Sequence, residues 1–226
     1  MRLFLFAALV LVLVRAEISY SQNDVISEAG LNKQLFKELV GDIKSELEKI
    51  NVVNDRGETA LIQAILYGAD EELLFLLENG VDINIKYRGL NPVFVTVSDE
   101  CLYSKLTILL DFGVRIDLIE KYLSNSLLHY ASQHDDTRCL ELLLKEGANV
   151  GAVNDYGETP LFYSASPSVS EILWRAGANI FQKDKHGLDV IHHSVLTGRE
   201  NIYRNILVKE IQKKRTEAEL SLRNAD

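Results

Sequence analysis

Residues 154–161 read Asn-Asp-Tyr-Gly-Glu-Thr-Pro-Leu, and residues 54–61 read Asn-Asp-Arg-Gly-Glu-Thr-Ala-Leu. Two octapeptides that differ at only two positions indicate an internal repeat. Related turns occur between and after them, with anchor positions at Gly57, Gly89, Ser124, Gly157 and Gly187. These positions are 32, 35, 33 and 30 residues apart. A period near 33 residues predicts similar units stacked side by side.

Each unit has the signals of two short helices. In the fourth unit, Thr159 is suited to an N-cap and Pro160 to the first helical position. A dense apolar stripe then predicts a second helix, as in Leu140 and Leu142–Leu144. Four of the units close on a glycine suited to a left-handed residue at a helix end: Gly80, Gly113, Gly147 and Gly177. Two short helices cannot bury such stripes alone, so the units are expected to be stable only as an array.

A turn of the type Gly-x-Thr-Pro-Leu-His, followed by Leu-Leu-x-x-Gly-Ala, resembles the ankyrin repeat. The resemblance covers about residues 54–207. It implies an all-α fold, an ankyrin-repeat α-solenoid of helix-turn-helix repeats joined by β-hairpin-like turns. The predicted units are 54–85, 86–118, 119–152, 153–182 and 183–207. In the fourth, Ser166-Pro167-Ser168 predicts a shortened turn between its helices.

Both ends of the array are predicted to be capped. Residues 31–53 form the pattern of an amphipathic helix pair with one polar face, as a terminal repeat requires. Residues 17–30 are interpreted as a linker. Residues 208–226 are interpreted as the end of a C-terminal capping helix and a tail, loose from Ala218 onward.

The first sixteen residues are typical of a secretory signal peptide. Residues 3–14 are uniformly apolar, follow Arg2, and precede a small-residue cleavage site that ends at Ala16. Cleavage there leaves 210 residues and changes the net charge from −9 to −11, because Arg2 and Arg15 are lost. We therefore expect an exported protein, secreted or periplasmic. Retention of the segment as a signal-anchor stays open, because Arg15 flanks its far side.

The charge balance of the chain indicates which class of partner it binds. With 33 acidic and 24 basic residues, the chain lacks the cationic balance of a nucleic-acid binder. The acidic charge favours a protein partner with a basic or mixed-charge surface, and we expect a monomer. Cys101 and Cys139 could form one disulfide, but two buried apolar thiols are the favoured interpretation, because secreted chains usually carry more cysteines.

Motifs for catalysis are missing from the sequence. It contains no His-Glu-x-x-His, no Gly-x-Ser-x-Gly and no phosphate-binding glycine-rich loop. His129 and His192 occupy the motif histidine, for which the resemblance implies a structural role. We therefore expect no enzyme, no cofactor and no metal site. An unrecognised hydrolase or redox role is the remaining alternative in this class.

The resemblance implies a concave face lined by the hairpin tips and the first helices. Tyrosine and arginine are enriched in binding hot spots, because they combine apolar area with a polar group. The predicted partner-binding residues are Arg56, Tyr87, Arg88, Tyr122, Tyr130, Tyr156, Tyr163 and His186. The alternative is that tip residues are merely solvated and that the helix tyrosines pack between repeats. The predicted function is protein binding without catalysis, by an exported chain or by one tethered to a membrane through an uncleaved anchor.

Overall fold

The computed structural model describes residues 58–223, which contain nine α-helices and one 3₁₀ helix. They are α1 (Ala60–Leu66), α2 (Asp70–Glu78), α3 (Pro92–Ser98), α4 (Tyr103–Asp111), α5 (Leu127–Ala131), α6 (Arg138–Lys145), the 3₁₀ helix (Pro160–Tyr163), α7 (Pro167–Arg175), α8 (Val190–Thr197) and α9 (Glu200–Arg223). Within this part of the chain no strand forms, and the hairpin turns contain only the isolated bridges Tyr87–Leu90 and Ile119–Ser126. The all-α prediction is confirmed.

The helices form two layers. The first helices of the repeats pack in chain order, α1 on α3, α3 on α5, α5 on the 3₁₀ helix, and the 3₁₀ helix on α8. The second helices form the other layer, in which α2 packs on α4, α4 on α6, and α7 on α9. Leucines from both layers, such as Leu61, Leu73, Leu128 and Leu140, are fully buried between them. This is the predicted solenoid.

Polar side chains cap the N-termini of the first helices of the repeats. Thr59 Oγ1 accepts the N–H of Ile62 at 3.3 Å, and Asp189 Oδ1 accepts the N–H groups of Ile191 and His192 at 3.1 and 3.0 Å. Such caps satisfy backbone donors that have no partner inside the helix. Thr159 holds the cap position of the 3₁₀ helix, but its side chain makes no cap hydrogen bond there.

The closing glycines have the predicted left-handed conformation, with φ of 80° at Gly80 and 89° at Gly147. After each one the chain turns back, and the next N–H reaches a carbonyl in the last helical turn. Val81 N donates to Leu76 O at 3.2 Å, and Ala148 N to Leu143 O at 2.9 Å. This Schellman arrangement packs the apolar residue that follows the glycine against the core, so that Val81 is buried and Ala148 partly buried.

The fourth unit is shortened in its first helix, which is a four-residue 3₁₀ helix. The connection that follows, Ser164–Ser166, has three residues, as many as between α1 and α2 but fewer than the four between α3 and α4 and the six between α5 and α6. Ser166 caps α7, and Pro167 takes its first helical position, where a missing N–H costs nothing. The turn is therefore shorter than those of the second and third units, as predicted, and the helix before it is shortened as well.

The C-terminal helix is longer than expected. Its first half packs on α7 and buries Ile202 and Ile206. Residues from Ala218 onward were expected to be loose, but the helix continues to Arg223. Helix-forming Lys, Arg, Glu and Ala dominate this end, and Arg215 pairs with Glu219 one turn later at 2.9 Å.

Cys101 and Cys139 form a disulfide, so the favoured interpretation of two free buried thiols is wrong. The bond joins positions 38 residues apart in sequence with Cα atoms 5.7 Å apart. Cys101 lies just before α4 and Cys139 lies in α6, two second helices that pack against each other. The stacking of neighbouring repeats therefore brings the two sulfur atoms together.

Several predictions fall outside the described residues. They are the signal peptide at 1–16, the linker at 17–30, the N-terminal capping pair at 31–53, and the binding residue Arg56. Between residues 58 and 223, every helix is too short or too polar to cross a bilayer.

Candidate binding face

The hairpin tips between repeats are built on buried polar side chains. Asn154 Oδ1 accepts the N–H groups of Tyr156 and Glu158 at 2.9 and 3.0 Å. One repeat later, Asp184 Oδ1 accepts those of His186 and Leu188 at 2.8 and 2.9 Å. These bonds fix the backbone of each tip and so fix the direction of the side chains that it presents.

Consecutive tips contact one another. Asp155 N donates to Leu123 O at 2.8 Å, and Lys185 N donates to Tyr156 O at 2.8 Å. At the preceding junction, a Cβ added to Gly89 would lie 3.2 Å from Tyr122 Oη, so the tyrosine lies against that glycine. The tips therefore form a continuous edge in which each repeat supports its neighbour.

We define the tip face by Tyr87, Arg88, Tyr122 and Tyr156. Tyr122 and Tyr156 are 68% and 47% exposed. The Arg88 guanidinium carbon lies 5.0 Å from the ring centroid of Tyr87, a cation–π contact between neighbours in one tip. His186, in the last tip, is also exposed. Arg88, Tyr122, Tyr156 and His186 are thus available to a partner, whereas Tyr87 is only partly exposed because it packs against the core.

The two predicted helix tyrosines are half-buried between repeats. Tyr130 packs edge-on against Phe94 with ring centroids 5.6 Å apart, and Tyr163 packs in the same way against His129 at 5.5 Å. Burial raises the pKa of both tyrosine hydroxyls. Their surroundings correspond to the alternative in which helix tyrosines pack between repeats, and their part in binding stays a prediction.

The motif histidines differ from each other. His129 is buried, and its ring connects Ser126 in its own repeat to the carbonyl of Glu158 in the next. This is the structural role that the family resemblance implies. His192 is exposed, and its Nδ1 lies 2.7 Å from Oδ1 of Asp189, its own N-cap.

Sequence reasoning missed a polar cluster between the last two repeats. Glu158 Oε2 accepts the Tyr163 hydroxyl at 2.7 Å, and its Oε1 lies 3.9 Å from Nε2 of His193. Asp184 completes the group, in which one ligand atom from each of Glu158, Asp184 and His193 lies within 4.8 Å of the others. No local motif signals this cluster, because its members come from two different repeats.

Comparison with protein families agrees with this architecture. A family model described as "Ankyrin repeats (3 copies)" matches residues 97–184 and 128–217, more than half of the chain. The chain belongs to the ankyrin-repeat family. A second model, "Ankyrin repeats (many copies)", matches residues 47–93. The match to the family therefore begins before the described part of the chain.

Curated relatives share the repeats within larger proteins. A mouse B-cell lymphoma 3 protein homolog is 34% identical over 127 residues, which are 55% of this chain and 28% of the relative. A bovine mitochondrial disaggregase is 32% identical over 59% of this chain and 20% of its own length. A putative ankyrin repeat protein of Rickettsia felis is 28% identical over 59% of this chain and 44% of its own length. The chain therefore spans less than half the length of each of these relatives.

Membership of the ankyrin-repeat family indicates a general kind of function, although it does not identify a partner. Ankyrin repeats are protein–protein interaction modules, and arrays of them are in general scaffolds without catalysis, although some relatives carry other domains with enzymatic activity. Nothing in the comparisons points positively to catalysis in this chain.

Proposed function

We propose that this protein is an exported, non-enzymatic ankyrin-repeat protein that binds a partner protein through its tip face. The observation that carries the proposal is the row of exposed aromatic side chains on tips that contact one another. Tyr122 and Tyr156 expose large rings on neighbouring tips whose backbones are joined by the bond from Asp155 N to Leu123 O.

The tip face suits binding energetically. Tyrosine supplies a large contact area with few rotatable bonds, so little side-chain entropy is lost on binding. The backbone under Tyr156 is already held on both sides, by Asn154 Oδ1 and by Lys185 N. A partner would meet a preorganised surface, and several aromatic side chains could form one hot spot.

Charge favours a cationic or mixed-charge partner. The chain has a formal net charge of −9, and Asp155 is exposed on the tip beside Tyr156. An acidic surface steers basic partners into encounter complexes at low ionic strength. Arg88 adds a positive group at the other end of the tip face, which favours a partner whose surface is mixed rather than uniformly basic.

Export is supported by two features. One is the apolar run of residues 3–14 at the N-terminus. The other is the disulfide between Cys101 and Cys139, because disulfides persist in oxidising compartments and are rare in the cytosol. The second candidate is an adaptor tethered to a membrane by the same N-terminal segment. N-terminal sequencing of the protein recovered from the producing cell separates the two, since cleavage exposes Glu17 and an anchor retains Met1.

The binding proposal is tested by capturing partners on the full chain and then measuring the affinity of the captured protein for variants. The double variant Tyr122→Ala, Tyr156→Ala is expected to weaken binding about 100-fold and to change the melting temperature by less than about 2 °C. Tyr67 provides a matched control, because it is 72% exposed but follows the C-terminal end of α1, away from the tips.

Tyr67→Ala should leave the affinity unchanged. Equal affinity of the double variant and the native chain would remove the tip face from the binding site. Equal loss in the Tyr67→Ala variant would show that binding depends on a different or more extended surface.

A further inference from the structure

Glu158, Asp184 and His193 form a cluster of potential metal ligands at the junction of the fourth and fifth repeats. Glu158 follows one tip, Asp184 lies in the next, and His193 lies in α8. One ligand atom from each residue lies within 4.8 Å of the other two. An imidazole nitrogen with carboxylate oxygens is a donor set that zinc uses in proteins.

Neighbouring side chains hold two of the ligands in place. The Tyr163 hydroxyl donates to Glu158 Oε2 at 2.7 Å, and Asn154 Nδ2 donates to the same oxygen at 3.3 Å. Oε1 of Glu158 is left facing His193. The His193 ring packs edge-on against Phe162, with centroids 5.7 Å apart, which restricts its rotation. Supporting contacts of this kind orient metal ligands in known sites.

Asp184 carries a carboxylate where the tip itself needs only one oxygen acceptor. Its Oδ1 makes the two backbone hydrogen bonds of the turn. At the equivalent place one repeat earlier, Asn154 makes the same two bonds with a neutral amide oxygen. The turn therefore requires neither the negative charge nor the second oxygen of Asp184, and both are available to a ligand.

The two carboxylates accept hydrogen bonds, but in the described part of the chain neither has a lysine or arginine partner. Asp184 is only 8% exposed, and within residues 58–223 neither it nor Glu158 forms a salt bridge with lysine or arginine. Buried charge is costly unless it is paired or coordinates a metal. A divalent cation between them would supply the missing positive charge.

We propose that Glu158, Asp184 and His193 bind one zinc ion. Three atoms at the corners of a triangle with 4.8 Å sides lie about 2.8 Å from its centre. Zinc takes such ligands at about 2.0 to 2.2 Å, so side-chain movements of less than about 1 Å would close the site. Three protein ligands leave a fourth position open to water or to a side chain of a bound partner. The ion would also link the fourth repeat to the fifth.

The test is calorimetric titration of zinc chloride into the full chain after treatment with a chelator. One zinc ion per chain is expected. His193→Ala, Glu158→Gln and Asp184→Asn should each weaken zinc binding by about tenfold or more. The Asp184→Asn variant recreates the arrangement seen at Asn154, so it should fold and keep the melting temperature of the metal-free protein while losing the rise that zinc produces.

His192→Ala is the matched control, since this neighbouring histidine is exposed and faces Asp189 instead. It should keep the native zinc affinity. Zinc binding that survives His193→Ala, or that is lost in His192→Ala, would overturn the assignment. Magnesium binding of equal strength that is insensitive to His193→Ala would also overturn it, because that result would describe a cation held by carboxylates alone.

Discussion

The imidazole of His129 joins two repeats, with Nε2 3.0 Å from the carbonyl oxygen of Glu158 and Nδ1 3.0 Å from the backbone nitrogen of Ser126. Because Nδ1 accepts the N–H of Ser126, the proton of the neutral ring is assigned to Nε2, which donates to Glu158. A second proton would leave Nδ1 with no lone pair for that N–H. Burial accordingly lowers the pKa of His129 below its ordinary value of 6.5.

Stability should therefore fall in mild acid. In the unfolded chain His129 binds a proton near pH 6.5, whereas in the folded chain it resists protonation. The stabilisation that the neutral His129 ring provides is complete above about pH 6.5. It decreases as the pH falls toward the lowered pKa, and the unfolding free energy then changes by at most about 1.4 kcal/mol per pH unit. Denaturant unfolding at pH 7.5 and pH 5.5 measures the loss.

The variant His129→Gln should be less stable at neutral pH and should lose part of this pH dependence. His192→Ala leaves the contacts of His129 intact, so it should keep the part of the pH dependence that His129 contributes. An identical pH slope in the native chain and the His129→Gln variant would contradict the assignment of the effect to His129.

Thr59 and Thr159 occupy the same place in their repeats, but replacing each by valine should change the unfolding free energy differently. Thr59 Oγ1 accepts the N–H of Ile62, so Thr59→Val should cost about 1 kcal/mol of unfolding free energy. Thr159 Oγ1 is buried with no hydrogen bond in the described structure, so Thr159→Val should be neutral or stabilising by up to about 1 kcal/mol. Thermal unfolding of the two variants makes the comparison, and a loss at Thr159 as large as that at Thr59 would show that its hydroxyl has a partner.

The sequence predicted the features that repeat. Gly80 and Gly147 close their helices in the left-handed conformation because the same local requirement recurs at each helix end. Because the same residue pattern occurs in several repeats, each repeat supports the interpretation of the others. The solenoid and its tips therefore follow from the period and the turn residues. The exposed rings of Tyr122 and Tyr156 follow from their position in the tips.

Features that depend on one junction could not be predicted in this way. The Cys101–Cys139 bond requires the actual distance between two neighbouring second helices, and cysteine count alone favoured free thiols. The cluster at Glu158 and His193 likewise needs the register of one repeat against the next. Thr159 and Pro160 predict an ordinary capped α-helix. The segment Pro160–Tyr163 is instead a 3₁₀ helix, in which the Thr159 side chain makes no cap hydrogen bond.

Ser124 stands where the other tips have glycine, and it takes the same left-handed conformation with φ of 59°. This conformation costs a non-glycine residue roughly 1–2 kcal/mol, and a glycine would remove that cost. Glycine also raises the conformational entropy of the unfolded chain, which cancels part of the gain. Ser124→Gly should therefore raise the unfolding free energy by about 0.5–1 kcal/mol in chemical denaturation. Ser168→Gly, at an exposed helical position of α7, is the control and should lower it by a similar amount. A lower stability for Ser124→Gly would mean that the serine side chain supports the tip.

Removing the disulfide between Cys101 and Cys139 should lower the unfolding free energy strongly. Closing a loop over a sequence separation of 38 residues restricts the unfolded chain by about 3 to 4 kcal/mol in the chain-entropy account. The double variant Cys101→Ala, Cys139→Ala should lose about that amount, and a thiol reductant should lower the native melting temperature to a similar value. The same reductant should leave the double variant unchanged, which separates the bond from general effects of the reagent. Two titratable thiols in the unreduced, unfolded protein, together with a melting temperature that the reductant does not alter, would contradict the bond and remove its support for an oxidising compartment.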